Sequence, residues 1–244
     1  MRLKVLGCDA LARLIYLCAA QSPHLVDLSL FRLGLHRKPA GLQARLQEEI
    51  DATAGQGYDA VALVYGLCGR ATAGITARDV PVVIPKAHDC ITLFLGGRGR
   101  YQAEHEKSPG TYWYSQDYIE RGTQDGEKVV LGAAMDGFNV EEMYDEYVAK
   151  YGKDNADYLM EAMSGWQSHY SRAAFIDMGL GGGQAVEAQA QEEAKRHGWA
   201  FERVAGDLVL IRRLLNGDWD GDFVILQPGQ RLEMSYDEDI LKAE

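Results

Sequence analysis

YDAVALVYGLCGRATAGITARDVPVVIPKAHDCITLFLGGRGR, which spans Tyr58–Arg100, is the most informative stretch of this chain. It contains two short apolar runs, Ala60–Tyr65 and Val80–Ile84, each rich in valine and bounded by glycine or proline. This pattern is typical of strands that are buried on both faces. Polar, reactive clusters follow both runs, Gly66–Arg70 after the first and His88-Asp89-Cys90 after the second. We therefore expect these side chains at the carboxyl edge of a parallel sheet, where α/β proteins bind ligands.

Apolar runs and amphipathic helices alternate on both sides of this stretch. Strands are predicted at Met1–Leu6 and Leu25–Leu33, and a helix at Ala40–Ala54. The later predicted elements are strands at Ala173–Met178, Trp199–Val204 and Phe223–Gln227 and helices at Gln184–His197 and Leu208–Leu215. Alternation of this kind predicts an α/β fold: a mostly parallel, Rossmann-like sheet with helices on both faces, in a single domain over 1–244.

The region 97–171 breaks the alternation and is predicted to be a lid-like excursion with a helical insertion. Tyr101–Gly126 is polar and aromatic, and we interpret it as a long functional loop. Val140–Lys150 and Asn155–Tyr170 have the pattern of two amphipathic helices.

Composition narrows the class of protein. A formal net charge of −11 without a basic stripe argues against a nucleic-acid partner. The apolar run Leu11–Ala20 is too short to span a bilayer, so we expect a cytoplasmic protein that does not enter a membrane. Four cysteines in 244 residues do not make a disulfide scaffold, and packing, metal binding or catalysis are their expected uses.

Cys8, Cys68, His88 and Cys90 are the candidate metal ligands. Each follows a predicted strand, so folding can bring all of them to one edge. Thiolate and imidazole are the ligands of zinc, and a catalytic zinc keeps one position open. The alternative is that Cys8 and Cys68 are small residues packed under tight turns, whereas Cys18 lies on an apolar helix face and is interpreted as buried.

Other polar residues are candidates for catalysis or ligand binding. His88, Asp89 and His36 are candidate acids or bases, although Asp89 can instead cap a helix and His36 can be a solvated loop histidine. Arg70 can hold a carboxylate or phosphate, and solvation at the surface is the alternative. Glycines after a strand and before a helix let backbone amides approach an anion, which makes Gly181 and Gly182 candidate binding residues.

The chain resembles an uncharacterised family, domain of unknown function 1638. The resemblance rests on Gly7-Cys8, Leu35-His36, Tyr65–Gly69, Pro85–Gly96, Gly110–Trp113, the glycine segment after Asp177, and Asp222–Gly229. It implies an association with corrinoid-dependent methyl metabolism. Methyltransferases of that metabolism that act on thiols also use a His-x-Cys and a distant Cys on zinc; here Cys68 lies upstream of His88-x-Cys90 rather than downstream.

These observations predict a zinc-binding protein, with a methyltransferase or thiol-activating enzyme as the expected activity. Its substrate is expected to be a small anion or thiol, and a corrinoid is expected only through a partner, which would be a corrinoid protein or methyltransferase. A non-catalytic protein that delivers a metal or cofactor is the first alternative. An iron–sulfur protein is the second, because three cysteines and a histidine can also hold a cluster.

Overall fold

The computed structural model describes residues 1–124, 144, 148–149, 152–156, 170–235 and 239–244. The chain divides into two compact units, the first formed by Met1–Ala103 with Ala205–Glu244 and the second by Glu104–Val204. Over the described ranges, every helix is too short or too polar to cross a membrane.

The order of elements confirms an α/β fold. In chain order, the strands are β1 (Arg2–Cys8), β2 (Leu25–Phe31), β3 (Ala60–Val64), β4 (Val82–Pro85), β5 (Thr111–Ser115), β6 (Arg172–Asp177), β7 (Ala200–Ala205), β8 (Phe223–Leu226), β9 (Leu232–Met234) and β10 (Leu241–Ala243). The α-helices are α1 (Ala12–Gln21), α2 (Pro39–Asp51), α3 (Cys90–Phe94), α4 (Arg98–Lys107), α5 (Gln116–Gln124), α6 (Gln184–His197) and α7 (Val209–Asn216).

The first unit is built on a five-stranded sheet of order β2-β1-β3-β4-β8. β1 pairs in parallel with both β2 and β3, and β3 pairs in parallel with β4. Only the edge strand β8 runs antiparallel to its neighbour, β4. All residues of β3 and β4 are buried, as their continuous apolar sequences predict. The mostly parallel, Rossmann-like sheet is therefore confirmed.

Helices of the first unit bury the apolar positions that recur at helical spacing. In α1 these are Leu14, Ile15 and Cys18, and Cys18 has no exposed surface. Cys18 thus has the buried structural position that its place on the apolar face predicts. A two-stranded antiparallel sheet of β9 and β10 also belongs to this unit.

The second unit has its own three-stranded sheet, of order β5-β6-β7. β5 and β6 are parallel, with Thr111 opposite Arg172 and Ser115 opposite Ile176. Arg172 is buried and connects this unit internally: its Nη1 donates to Glu104 Oε2 and Glu202 Oε2, at 2.8 Å each. Its Nε donates to Thr111 Oγ1 at 2.8 Å.

Tyr101–Gly126 is not the long loop that we expected. Its described part contains most of α4 and all of β5 and α5. The strand residues Thr-Tyr-Trp-Tyr-Ser are all buried, because β5 pairs with β6 in the second sheet. An aromatic and β-branched sequence between Gly110 and Gln116 favours a strand, and that signal outweighs the polarity of its surroundings.

The two predicted helices at Val140–Lys150 and Asn155–Tyr170 lie largely outside the described residues. Lys153–Ala156 is helical within them. One domain over 1–244 stays a prediction.

Candidate functional site

Three adjacent strands of the first sheet deliver the predicted ligands to one edge. Cys8 is the last residue of β1, Cys68 follows the end of β3 by four residues, and His88 and Cys90 follow β4. Gly7 lies opposite Val64 across the β1–β3 pair, so these two strands end at the same level. The order β1-β3-β4 therefore places the three cysteines at the carboxyl edge.

The loops after β3 and β4 are hydrogen-bonded to each other. The Leu67 N–H donates to the Ala87 carbonyl at 2.8 Å, and the Cys68 N–H donates to the His88 carbonyl at 2.9 Å. Gly66 makes this approach possible, because a Cβ there would lie 2.7 Å from the Asp89 nitrogen and 2.8 Å from the Ala87 oxygen. The spacing between the two predicted ligand segments is thus fixed by backbone contacts.

The β3 loop has an unusual backbone at the candidate ligand. Cys68, Gly69 and Arg70 have consecutive positive φ angles of 45°, 63° and 76°. Glycine adopts this region freely, whereas each non-glycine residue there costs roughly 1–2 kcal/mol. Two of the three residues therefore hold a conformation that their side chains disfavour.

The thiols at this edge are desolvated and lie near one another. Burial raises the pKa of the Cys68 thiol to about 12, and the nearby Asp89 carboxylate adds to the shift. Burial also raises the pKa of Cys90 well above its ordinary value, with smaller contributions from Asp89, Cys68 and Cys8. The contributions of Cys68 and Cys8 to the pKa of Cys90 indicate that the three thiols share one environment. As residues, Cys68 and Cys90 are only partly buried, so the edge remains within reach of solvent.

Asp89 caps α3. Its Oδ1 accepts the N–H groups of Ile91, at 3.0 Å, and of Thr92, at 3.3 Å. Burial raises the pKa of this carboxyl, while the two N–H donors and nearby His88 act in the opposite direction. The plain alternative from the sequence, helix capping, is therefore the role that the structure shows for Asp89.

His88 is exposed at the mouth of this edge. Its ring centroid lies 6.1 Å from that of Tyr101, at a tilt of 43°. Exposure leaves the imidazole able to rotate toward the thiols or toward a substrate, so its roles as ligand or base both stay predictions.

The remaining predicted site residues, His36, Gly181 and Gly182, lie in other loops. His36 lies in a 3₁₀ turn, Leu33–Arg37, just after β2, and its side chain is outside the description. Gly181 and Gly182 belong to the loop before α6 in the second unit, with φ angles of 76° and 81°. That loop satisfies part of its own backbone, since Asp177 Oδ1 accepts the Gly179 N–H at 3.0 Å. Its role as an anion site stays a prediction.

No group of three or more His, Cys, Asp or Glu side chains is already arranged to hold a metal ion within the described ranges. The donor chemistry fits a soft metal, but the side-chain positions do not yet form its coordination shell. Ligation would require the thiols to turn toward a common point from the rotamers seen here.

Two residues that the sequence analysis did not single out belong to this environment. Tyr65 ends the apolar run of β3, and burial raises the pKa of its hydroxyl well above the ordinary value, with Cys8 and Cys68 contributing. Tyr101 lies against His88, and burial followed by Asp89 raises its pKa. The sequence analysis includes Tyr65 in the apolar run of β3. Its position directly before Gly66, at the end of that run, is the feature that indicates a place near the site.

A family profile described as "Protein of unknown function (DUF1638)" matches residues 30–215, which is more than half of the chain. The chain belongs to this family, as the motifs predicted. No curated protein and no solved structure matches it.

Proposed function

We propose that this protein binds zinc, or a comparable soft metal ion, through Cys8, Cys68 and Cys90, with His88 as fourth ligand or as a base. One observation carries the proposal: three neighbouring strands end in three thiols at a single sheet edge, where Cys68 and Cys8 both affect the pKa of Cys90. None of the three forms a disulfide bond. Such convergence needs a reason, because cysteines used only for packing have no requirement to meet.

Before a metal binds, the thiols at this edge are protonated and neutral. The raised pKa of Cys68 and Cys90 means that neither is an activated nucleophile near neutral pH. A soft cation changes this balance, because it binds the thiolate and displaces the proton. The interlocked β3 and β4 loops would hold two of the donors at a constant separation while the side chains rotate.

A thiol-activating enzyme, and specifically a methyltransferase, is the activity that we propose for this site. When bound, the metal supplies a position where a substrate thiol is held as thiolate. His88, if it is not a metal ligand, is the base that we propose for the proton of the incoming thiol, and its exposure supports this role. A methylated corrinoid protein is the proposed partner: its methyl group would pass to the sulfur as CH₃⁺, forming the S–C bond while cobalt keeps the electron pair.

Four cysteines without a disulfide are usual in a reducing compartment, and this supports the cytoplasmic location that we propose. Delivery of the metal to another protein, without turnover, uses the same ligands. We would infer this delivery function if the protein binds metal stably but transfers no methyl group from methylcobalamin to any thiol.

Elemental analysis of protein purified without a histidine tag tests the metal site. We expect close to one metal ion per chain in the wild type and a loss of most of it in Cys68→Ser and Cys90→Ser. Cys18→Ser is the matched control, since Cys18 is also a buried thiol with a raised pKa but lies on α1, away from these loops. It should retain the metal.

Circular dichroism and thermal unfolding separate loss of ligand from loss of fold in each variant. Metal content that is far below one and equal in wild type, Cys68→Ser and Cys90→Ser would reject the site. Visible absorption after anaerobic purification distinguishes the metals, because an iron–sulfur cluster is coloured and a zinc protein is not.

A further inference from the structure

Arg70 has an unusual position beside the thiol edge. It follows Cys68 by two residues, is exposed, and has a φ angle of 76°. Among the described residues, its guanidinium makes no hydrogen bond and no ion pair.

An exposed arginine without a described ion pair is unusual in a chain with so many acidic residues. Acidic residues exceed Lys and Arg by 36 to 25. Most other described arginines have acidic partners, as shown by the pairs Arg2–Asp27 at 2.8 Å, Arg78–Asp51 at 2.6 Å and Arg213–Asp222 at 2.8 Å. An acidic chain offers Arg70 many possible partners, yet the fold leaves this cation open to solvent.

Backbone conformation makes this exposure costly. An arginine in the left-handed region is disfavoured, and glycine would be accommodated there without cost. The exposed side chain has no described internal contact that repays the strain. Strain that is held next to a cluster of reactive groups points to a function for the side chain.

Asp89, which adjoins Cys90 in the sequence, already has hydrogen-bond donors other than Arg70. Asp89 is partly buried, and its Oδ1 accepts two N–H groups of α3. His88, in the loop after β4, is exposed and adds no negative charge. A small anion approaching this mouth would therefore meet a guanidinium that no acid in the described ranges neutralises.

We propose that Arg70 binds the carboxylate or phosphate group of an anionic ligand whose thiol end reaches the Cys68 and Cys90 edge. The second half of this statement rests on the proposed metal site. Guanidinium recognises carboxylate and phosphate by the same paired N–H donors, so the ligand class is an anionic thiol. Neutral thiols of similar size would lack this contact and bind more weakly.

Arg70→Gly is the decisive variant, because it removes the charge and also suits the backbone. We expect a higher midpoint of thermal unfolding than in the wild type. In calorimetric titration of zinc-loaded protein with 3-mercaptopropionate, we expect the affinity to fall about 10- to 100-fold, the usual value of a charge-assisted contact. Binding of 2-mercaptoethanol should be unchanged.

Two further variants separate charge from geometry. Arg70→Lys keeps the charge without the planar fork and should retain part of the affinity. Arg212→Ala is the matched control, since Arg212 is also exposed, lies on α7 and has no ion pair in the described part of the chain. It should bind 3-mercaptopropionate as the wild type does.

Metal-free protein tests the anion contact without the metal. Phenylglyoxal should modify Arg70, as measured by peptide mass spectrometry, and inorganic phosphate or 3-mercaptopropionate should protect it. Protection by either anion supports the contact and identifies the preferred head group, even if elemental analysis rejects the metal site. Protection by neither anion, or equal affinity of wild type and Arg70→Gly for 3-mercaptopropionate, overturns the proposal while the metal site stands on its own measurement.

Discussion

At the residue scale, desolvation of the thiols determines what fraction of them is present as reactive thiolate. A Cys68 pKa of about 12 leaves about one thiolate in ten thousand at pH 8, compared with about one in ten for an ordinary cysteine. The same environment would favour a soft cation over a proton only if that cation brings enough binding energy. Metal-free and metal-loaded protein therefore differ sharply in thiolate content.

Alkylation kinetics measure this directly. In metal-free protein at pH 8, we expect iodoacetamide to modify Cys68 roughly a thousandfold more slowly than a small thiol, because thiolate is the reactive form. The rate should rise steeply between pH 10 and the pKa of about 12. Protein unfolded in guanidinium is the control and should react at the ordinary rate; a folded rate equal to it would contradict the burial seen here.

The raised pKa of Cys68 also makes the free energy of unfolding depend on pH. The folded pKa lies above the ordinary value of 9.0, so the fold favours the neutral thiol. This contribution to the free energy of unfolding is fully present below about pH 9. It is lost as the pH rises through the window that ends near 12.

Two neighbouring loops, after β3 and after β4, act as one element. Their hydrogen bonds place the ligand segments side by side, and Gly66 allows the approach. Thr72 adds to this arrangement from the following turn, since its buried hydroxyl donates to the Gly66 carbonyl at 3.0 Å. The site therefore depends on a glycine that carries no chemistry of its own.

Gly66→Ala should destabilise the protein by about 1–3 kcal/mol, because the added methyl group overlaps backbone atoms that cannot move independently. Urea unfolding measures the loss, and the folded variant should bind less zinc. Gly221→Ala is the control, since nothing lies within 4 Å of a Cβ at Gly221. Equal stability of the two variants would show that the loops are not held as described.

At the scale of the whole molecule, metal binding and folding are expected to be linked. The proposed ligands come from β1, β3 and β4, so only the folded first unit can bring them together. A metal that binds the folded chain alone stabilises it by about 4 kcal/mol at a thousandfold excess over Kd.

Chelation tests this linkage. We expect a strong zinc chelator to lower the midpoint of thermal unfolding of the wild type and to leave Cys68→Ser/Cys90→Ser unchanged. The double variant also controls for effects of the chelator on the solvent. A shift of the same size in both proteins would mean that the metal acts elsewhere.

The sequence by itself determined the strands at the centre of the first sheet and their reactive ends. Continuous apolar runs have one plausible environment, a buried parallel strand, and the residues that follow such strands must lie at the carboxyl edge. The capping role of Asp89 was already present as an alternative, because that chemistry is local.

Only the tertiary structure decided which strands are neighbours, and thereby that Cys8 joins Cys68 and Cys90. It also assigned β5, from the expected lid, to a second sheet with β6. Strand pairing depends on contacts between residues far apart in the chain, which periodicity cannot report. The left-handed conformation of Arg70 is likewise visible only in the structure, because its sequence neighbours do not require it.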